Sequence, residues 1–389
     1  MSIKLHWFLP TTGDSRGLVG GGHSVPQGVG LPTGGEGTAT VFREANIDYL
    51  ASIARTADQL GFEGVLTPTG TWCEDAWLVT SALIRETRRL KFLVAFRPGV
   101  TSPTLSAQMA AAFQRISGGR LLLNVVTGGE QSEQRRFGDH LGHDERYART
   151  DEFLSVVRGA WTEAPFDFDG RYYQVQGAQV RGEIDPLPKI YFGGSSTPAG
   201  PVAARHADVY LTWGEPPELV AEKIAWIRDL ARAQGRDIRF GLRIHTLSRD
   251  SSEQAWQQAQ WLLDGLDPQS IEKAQAVLAR SESVGQQRMR DLHGGRTSFG
   301  TAHDLEIAPN LWAGVGLVRG GAGTALVGSH QEVADRLEEY HRLGIDEFIL
   351  SGYPHVEEAY WFAEGVMPLL RAKGIYGSTA GGQQLARSA

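Results

Sequence analysis

Short β-rich runs alternate with amphipathic helical runs along this chain of 389 residues. The strand candidates lie at residues 3–9, 63–67, 91–97, 120–126, 189–194, 207–213, 238–247 and 346–352. The helical candidates that follow them lie at residues 43–60, 74–87, 103–117, 145–160, 196–205, 216–234, 252–264 with 329–343, and 357–371. Several strand candidates, such as KFLVAF, are almost entirely apolar, as are parallel strands covered on both faces. This repeat predicts a (β/α)8 TIM barrel, with a doubly wound open sheet as the alternative.

Three segments exceed the minimal repeat, and we predict one domain over residues 1–375. Residues 13–40 are rich in Gly, Pro, Thr and Ser, which indicates a flexible excursion after the first strand. Residues 268–309 contain a polar helix, DPQSIEKAQAVLARSESVGQQRMRDL, and a loop, and we interpret them as a lid. Residues 376–389 have no apolar period, so we expect a disordered tail.

Composition argues against several classes of function. Lysine and arginine number 38 against 45 acidic residues, and the net charge of −7 provides no global attraction to nucleic acid or to an anionic membrane. The single cysteine cannot form an intramolecular disulfide or a cysteine-rich zinc site. No run reaches the roughly 18 apolar residues of a membrane span, and the start lacks a signal-peptide pattern. We therefore expect a soluble cytoplasmic protein.

One run stands out for its isolated charge. Residues 310–328, NLWAGVGLVRGGAGTALVG, contain only Arg319 as a charged residue. Glycines permit a close approach of the backbone to a ligand, and a guanidinium offers forked donors to a carboxylate, phosphate or sulfonate. The run indicates an anion-binding loop; an arginine paired with a nearby acid on the surface is the alternative.

Two pairs of polar residues lie near strand ends, where barrels of this kind carry their catalytic groups. Arg243 and His245 are two residues apart near the end of the seventh strand, so their side chains point to the same side. Tyr353 and His355 are likewise two apart after the eighth strand, a spacing that suits contact with one ligand. The structural alternatives are that the first pair faces the helices and that the Tyr353 hydroxyl points into water.

The run YFGGSS, residues 191–196, places two glycines and the hydroxyls of Ser195 and Ser196 where the fifth strand meets the next helix. Backbone N–H groups at a helix start, with these hydroxyls, predict a phosphate cradle, although an N-cap serine is also ordinary helix initiation. Neither a Walker sequence nor GxGxxG is present, which argues against ATP and dinucleotide binding of the Rossmann kind.

Two further candidates carry less weight. Cys73, just beyond the second strand, is in a position that suits the active face, but a lone cysteine is more often a small buried apolar residue than a nucleophile. His140 and His143, with aspartates nearby, match no specific metal-ligand spacing. We predict a polar loop there and no metal site.

A series of runs, in order over about residues 1–370, resembles the flavin-dependent alkanesulfonate monooxygenases of the bacterial luciferase-like superfamily. These runs are WFLPT, CEDAW, KFLVAFRP, NVVTGG, DERY, YFGGSS, YLTWGEPPELV, RFGLRIH, SVGQQRM, NLWAGVGLVRGGAGTALVG and SGYPHVEEAY. The resemblance implies a barrel that uses reduced FMN, as a diffusible co-substrate, and O2 to split the C–S bond of an alkanesulfonate into sulfite and an aldehyde. It also implies a separate NAD(P)H-dependent FMN reductase as partner, and a homo-oligomer.

The resemblance also assigns roles to single positions. It implies catalytic roles for Cys73, Arg243, His245, Arg319 and Tyr353. It implies substrate contacts for Trp213 and His355, and contacts with the flavin or its phosphate for Asn124, Tyr147, Ser195 and Ser196. The chain departs from the family pattern at Thr71 and Trp72, in its long 13–40 stretch and at TSFGTAH from Thr297. These departures bear on the length of the substrate and on the behaviour of the lid, and they leave the core chemistry unchanged.

Two other functions stay open from the sequence. One is a related flavin monooxygenase that acts on a sulfone, another organosulfur compound or an aminocarboxylate. The other is a non-catalytic protein that binds a sulfonate or a flavin.

Overall fold

The computed structural model describes residues 2–18, 42–296 and 299–377. Its strands are β1 (Lys4–Phe8), β2 (Gly64–Thr67), β3 (Lys91–Phe96), β4 (Leu121–Val125), β5 (Phe166–Asp169), β6 (Gln174–Ala178), β7 (Lys189–Gly193), β8 (Val209–Trp213), β9 (Arg239–Arg249), β10 (Glu306–Ala308), β11 (Leu311–Trp312), β12 (Ala325–Ser329) and β13 (Glu347–Ser351). Eight of them are parallel neighbours in the order β9, β13, β1, β2, β3, β4, β7, β8, and pairing of β8 with β9 closes the ring. The predicted (β/α)8 barrel is confirmed, and all eight strand candidates belong to it.

The helices are α1 (Ile47–Leu60), α2 (Ala76–Leu83), α3 (Pro103–Ser117), α4 (Gln131–Arg136), α5 (His143–Thr162), α6 (Ala199–His206), α7 (Pro217–Arg232), α8 (Ser252–Asp264), α9 (Pro268–Leu278), α10 (Val284–Leu292), α11 (His330–Leu343), α12 (His355–Trp361) and α13 (Met367–Ala372). Local capping explains several starts. The side chain of Asn46 accepts a hydrogen bond from the Tyr49 amide before α1, and Ser329 forms a capping box with Glu332 before α11.

The barrel is packed on both faces of its strands. Seven strands each contribute one buried residue to an inner cluster, namely Phe8, Leu66, Leu93, Leu122, Tyr191, Val209 and Ile349. The opposite strand faces pack against the surrounding helices in a larger core. Filling the interior with side chains makes the barrel a solid core, so a ligand site has to lie at one of its ends.

Two expectations about helices were wrong. The helix predicted to begin at residue 196 begins at Ala199, with Pro198 at its N-cap. Ser195 and Ser196 therefore lie in the preceding loop and do not cap the helix. The polar run predicted as one helix over residues 267–292 forms two, α9 and α10, because Ser283 caps a new helix by accepting a hydrogen bond from the Gln286 amide.

The glycine-rich run around Arg319 contains regular structure that the sequence reading missed. Its two ends form β11 and β12, and β12 pairs in parallel with the second half of β9, outside the barrel ring. Arg319 is therefore held in a loop between β11 and β12. Elsewhere in the chain, the strands β5 and β6 form a separate hairpin.

The predicted excursion at residues 13–40 is described only up to residue 18, and Thr297 also lies outside the described residues. Of the predicted tail, Tyr376 and Gly377 are described, and the Tyr376 hydroxyl donates a hydrogen bond of 2.9 Å to the Gly61 carbonyl. The rest of the tail lies outside the described part of the chain. Within the described ranges, no helix has the length and apolar character needed to cross a membrane.

Candidate active site

A cavity opens at the carboxyl ends of the barrel strands. Every barrel strand contributes a lining residue, namely Phe8, Leu66, Ala95, Asn124, Gly193, Leu211, Arg243 and Ile349. The loop of residues 319–322 and the segment 283–285 at the start of α10 also line it. The position is the one at which barrels of this architecture carry their active sites.

The cavity brings the two predicted arginines together. The Cζ atoms of Arg243 and Arg319 lie 4.7 and 5.1 Å from the centroid of the Phe8 ring. Cation–π attraction to one ring helps to hold two like charges near each other. The Arg243 side chain donates hydrogen bonds to the Ser351 hydroxyl at 2.8 Å and to the Ile349 carbonyl at 3.3 Å, which fix its orientation.

Neither arginine has an acidic partner in the described part of the chain. No described carboxylate lies within ion-pairing distance of Arg243 or Arg319 (4.0 Å), whereas Arg97, Arg149 and Arg249 each have such a partner. Burial, together with the charge of Arg319, lowers the pKa of Arg243 to about 9. An anion bound between the two guanidinium groups would relieve this cost.

His245 is a neutral hydrogen-bonded residue behind Arg243. Its Nδ1 lies 2.7 Å from the Ser351 hydroxyl, and its Nε2 lies 3.1 Å from the Ala322 carbonyl, which can only accept. The proton is therefore assigned to Nε2. Burial and the nearby charges of Arg243 and Arg319 hold the pKa of His245 well below its usual range.

Tyr353 links the two predicted pairs. Its hydroxyl accepts a hydrogen bond of 2.8 Å from Arg319, and its ring stacks on His245 with centroids 5.6 Å apart. Arg243, His245, Arg319 and Tyr353 thus form one contiguous group, in which the contacts of Tyr353 with Arg319 and His245 join residues that the sequence spacing did not connect. His245 and Tyr353 do not themselves line the cavity; they support the arginines that do.

His355 is held by an acid that the sequence reading missed. Asp14 accepts hydrogen bonds from the His355 amide at 2.8 Å and from its ring Nδ1 at 2.9 Å, and a third from the Tyr49 hydroxyl. Burial would raise the pKa of Asp14, but the interaction with His355 lowers it. Asp14 lies at the start of the stretch interpreted as a flexible excursion, where no periodic pattern pointed to it.

The phosphate cradle predicted at YFGGSS faces the cavity. Ser195, Ser196 and Tyr147 all line it. Ser196 Oγ is buried and makes no hydrogen bond with the described residues. A Cβ atom added to Gly194 would come within 3.1 Å of the Tyr147 hydroxyl, so the glycine leaves room between these hydroxyl groups. The set fits a phosphate monoester.

Asn124 and Trp213 also line the cavity, at the ends of β4 and β8. Trp213 faces the start of α10, where a Cβ atom at Gly285 would come within 3.1 Å of its indole ring. The glycine therefore permits α10 to approach the tryptophan closely. His143, predicted to lie in a polar loop, instead begins α5 and lines the cavity.

Cys73 lies beside the cavity without lining it. Its Sγ is 3.7 Å from the Pro68 carbonyl and 3.6 Å from the Gly70 carbonyl, so the thiol has acceptors. Burial raises the pKa of the Cys73 thiol to about 12. The side chain is a neutral thiol and is not activated as a nucleophile.

The predicted lid is anchored over the cavity by an ion pair and by a backbone contact. Arg288 on α10 pairs with Glu215, which follows β8, through two contacts of 2.9 Å. The Gly321 amide, two residues after Arg319, donates a hydrogen bond of 2.8 Å to Gln286. Glu215 directly follows a strand end, so the positional filter used for Arg243 could have identified it.

Comparison with known proteins places this architecture in a family. The family model described as luciferase-like monooxygenase matches residues 3–347. The fold is similar to a riboflavin lyase solved with modified FMN and riboflavin, at 20% identity and a TM-score of 0.76, with 97% of this chain and 93% of that chain covered. It is also similar to a long-chain alkane monooxygenase, at 19% identity and a TM-score of 0.74, with 97% and 93% covered.

A third similar structure is the EDTA monooxygenase from Chelativorans sp. BNC1, at 16% identity and a TM-score of 0.70, with 97% of this chain and 96% of that chain covered. The TM-scores of these three structures show a shared fold, and their low sequence identities leave the substrate open. The family match extends over most of the barrel. The chain belongs to the luciferase-like monooxygenase family.

Proposed function

We propose that the protein is a two-component flavin-dependent monooxygenase that uses reduced FMN and O2 to cleave the C–S bond of an alkanesulfonate. The observation that carries the proposal is the un-neutralised pair Arg243 and Arg319 in the same cavity as the cradle of Ser195, Ser196 and Tyr147. The cavity thus offers one site for a phosphate and a second for another anion.

The head group follows from the charge of the pair. A sulfonic acid is strong, so a sulfonate stays anionic at physiological pH and the protein has to neutralise it with cationic side chains. Two guanidinium groups present several N–H donors to its oxygens, and these interactions strengthen when the lid excludes water. A neutral sulfone would leave both charges uncompensated, which argues against the sulfone alternative.

The residues of the cradle fit FMN by the chemistry of their donors. The Ser195, Ser196 and Tyr147 hydroxyls would hold its phosphate, and Asn124 on β4, which also lines the cavity, would contact the flavin. Bound reduced FMN supplies the electrons that activate O2. The proposed reaction balances when the sulfonate and O2 give an aldehyde, sulfite and water, with reduced FMN oxidised to FMN.

The protein side chains would have distinct tasks in this reaction. Arg243 and Arg319 bind and orient the head group, and Tyr353 holds Arg319 through its hydroxyl. The Ser351 hydroxyl connects Arg243 to neutral His245, so this group fixes the position of the cation. The lid excludes water through the Arg288 contact with Glu215.

The partners follow from the same proposal. The chain has no fingerprint for a nicotinamide dinucleotide of the Rossmann kind, so a separate NAD(P)H-dependent FMN reductase would supply reduced flavin. The homo-oligomer that the resemblance implies, and the cytoplasmic location that we expect from the composition, stay part of the proposal.

A product assay tests the proposal. Purified protein is mixed with chemically reduced FMN in air-saturated buffer with sulfonates from methanesulfonate to decanesulfonate, and sulfite and aldehyde are quantified. We expect equal amounts of both products with at least one chain length. Absence of sulfite with every sulfonate, while reduced FMN binds, would favour another substrate; a protein that binds sulfonate and FMN without product formation would be the non-catalytic binder.

A further inference from the structure

A second group of buried polar side chains lines the cavity on the side opposite Arg243. We call Trp72, Arg97, Glu130 and Glu133 the Arg97 corner; all four line the cavity. Arg97 directly follows β3, and Glu130 and Glu133 follow β4. In the barrel order, β3 is four strands from β9 in either direction. The Arg97 corner is therefore across the barrel from the proposed sulfonate site.

Several polar atoms of this corner have no hydrogen-bond partner among the described residues. Arg97 is 7% exposed, and its Nη2 pairs with Glu133 Oε2 at 2.6 Å, but its Nε and Nη1 make no hydrogen bond. Trp72 Nε1 and Glu130 Oε2 are also buried without partners. Buried donors and acceptors are nearly always hydrogen-bonded, so this set indicates a ligand.

The backbone keeps Arg97 in place for such a ligand. A Cβ atom at Gly128 would lie 2.4 Å from Arg97 Nη1, so a larger residue there would displace the guanidinium. The lid covers the same corner, since the Glu282 amide donates a hydrogen bond of 3.1 Å to the Gly129 carbonyl. The corner is thus built around the arginine, and a residue of the lid contacts the loop beside it.

The chemistry of these atoms identifies the ligand edge. N–H donors from a guanidinium and an indole, beside a carboxyl oxygen, complement a planar edge that alternates carbonyl oxygens with an N–H group. The pyrimidine-dione edge of an isoalloxazine ring has this pattern. The cradle follows β7, and β4 with Asn124 lies between β7 and β3, so a ring held at the cradle can extend over β4 to Arg97.

From this placement we infer that the Arg97 corner binds the pyrimidine-dione edge of FMN and favours its reduced, anionic form over the oxidised form. The inference rests on the proposed use of reduced FMN. Deprotonated reduced flavin carries negative charge at N1 and the neighbouring C2 oxygen, where the unpaired N–H groups of Arg97 would stabilise it. Oxidised flavin lacks that charge and gains less.

The state of Glu130 agrees with a role at such an edge. Burial raises the pKa of the Glu130 carboxyl, although the hydrogen bond from Ser132 acts in the opposite direction. A carboxyl group that is more readily protonated can donate as well as accept a hydrogen bond. Glu133 instead accepts from Arg97 and from the Thr71 amide.

Equilibrium binding of the flavin tests this inference without turnover. Oxidised FMN, and reduced FMN under nitrogen, are titrated calorimetrically into the wild type and into the double variant Arg97→Gln/Glu133→Gln, which removes both charges of the pair. We expect the Kd for reduced FMN to rise by about tenfold or more and that for oxidised FMN by about threefold or less.

The matched control is Arg149→Gln/Asp139→Asn, a buried ion pair that does not line the cavity. We expect both of its Kd values to stay within about twofold of wild type. If the first double variant does not fold, Trp72→Phe removes the indole N–H donor and keeps an aromatic ring, and its Kd for reduced FMN should rise by about threefold or more.

Unchanged binding of reduced FMN, or equal weakening of both forms, would overturn the inference. Normal flavin binding together with weaker octanesulfonate binding would also overturn it, because the corner would then hold the substrate. A wild type that fails to bind reduced FMN would refute the proposed function as well. A wild type that releases sulfite, beside a double variant with normal flavin binding, would refute this inference alone.

Discussion

Arg243 and Arg319 approach the same ring, with their Cζ atoms 4.7 and 5.1 Å from the centroid of Phe8. One arginine comes from barrel strand β9 and the other from the loop before β12. The arrangement concentrates two positive charges at one position of the cavity. The proposed function requires an anion at this position.

The charge of Arg243 predicts how sulfonate binding changes with pH. Because the pKa of Arg243 is lowered to about 9 by burial and by Arg319, the free site loses its second charge as the pH rises through that value. We expect the affinity for octanesulfonate, measured by calorimetry under nitrogen with reduced FMN present, to be constant near pH 7 and to fall above about pH 9. Arg243→Met should bind weakly and show no such fall; a wild-type affinity that is flat to pH 10 would argue against the prediction.

Removal of Arg319 should uncouple flavin oxidation from desulfonation. Arg319→Ala deletes a charge-assisted contact, typically about 1.5–3 kcal/mol, so sulfite released per FMN oxidised should fall by about tenfold or more. Sulfite and consumed flavin are measured in the same reaction. The control is Arg280→Gln, an exposed arginine that does not line the cavity and should keep the wild-type ratio. An unchanged ratio in Arg319→Ala would count against the sulfonate site.

Cys73 should be dispensable as a nucleophile. Its thiol has a pKa raised to about 12 by burial and does not line the cavity, so Cys73→Ser should keep substantial kcat for sulfite release. Alkylation of the wild-type thiol by iodoacetamide at neutral pH should also be slow. Complete loss of turnover in a folded Cys73→Ser variant would restore a covalent role.

The ion pair between Arg288 and Glu215 should control closure of the lid. Both side chains also sit near Lys223, which donates a hydrogen bond of 2.8 Å to Glu215. Arg288→Gln removes the charge that ties α10 to the barrel, so more O2 should be reduced without sulfite formation. Hydrogen peroxide and sulfite are measured together, with Arg280→Gln again as control. An equal sulfite yield in both variants would exclude this role for the pair.

Glu347 should stabilise the other end of the barrel. Burial opposes its ionisation, but hydrogen bonds from His6 at 3.0 Å and Tyr191 at 2.6 Å, with the charge of Lys4, lower its pKa to about 2. A lowered pKa in the folded state means that the stabilisation is fully present above the unfolded value of about 4.3 and is lost as the pH falls toward 2.

The matching variant is Glu347→Gln. We expect it to reduce the free energy of unfolding by on the order of 3 kcal/mol at pH 7, and by progressively less below pH 4. Urea denaturation at several pH values measures the difference. Glu253→Gln, an exposed substitution on α8, serves as control. A difference between Glu347→Gln and wild type that does not depend on pH would contradict the assignment.

The barrel could be predicted because its signal is periodic and local. Each parallel strand is an apolar run, and each helix has its own amphipathic pattern, so the eight units can be read one at a time. Arg243 and Ser196 could be found because strand ends are marked in the sequence. The helix break before α10 was missed because a single Ser283 N-cap, within a continuous polar run, decides it.

Contacts between distant segments could not be predicted in the same way. Asp14 and His355 are separated by 341 positions, and nothing local to either residue indicates the other. The Arg97 corner is different, since Arg97 directly follows an apolar strand as Arg243 lies near the end of one. It could still not be predicted, because its unpaired donors become evident only when the surrounding side chains are in place.

A crystal structure of the protein with FMN and octanesulfonate tests the central claim most directly. We predict that the sulfonate oxygens accept hydrogen bonds from both Arg243 and Arg319, with the phosphate of FMN at Ser195 and Ser196. A sulfonate head bound away from the two arginines, or at the Ser195 and Ser196 cradle in place of the phosphate, would contradict it.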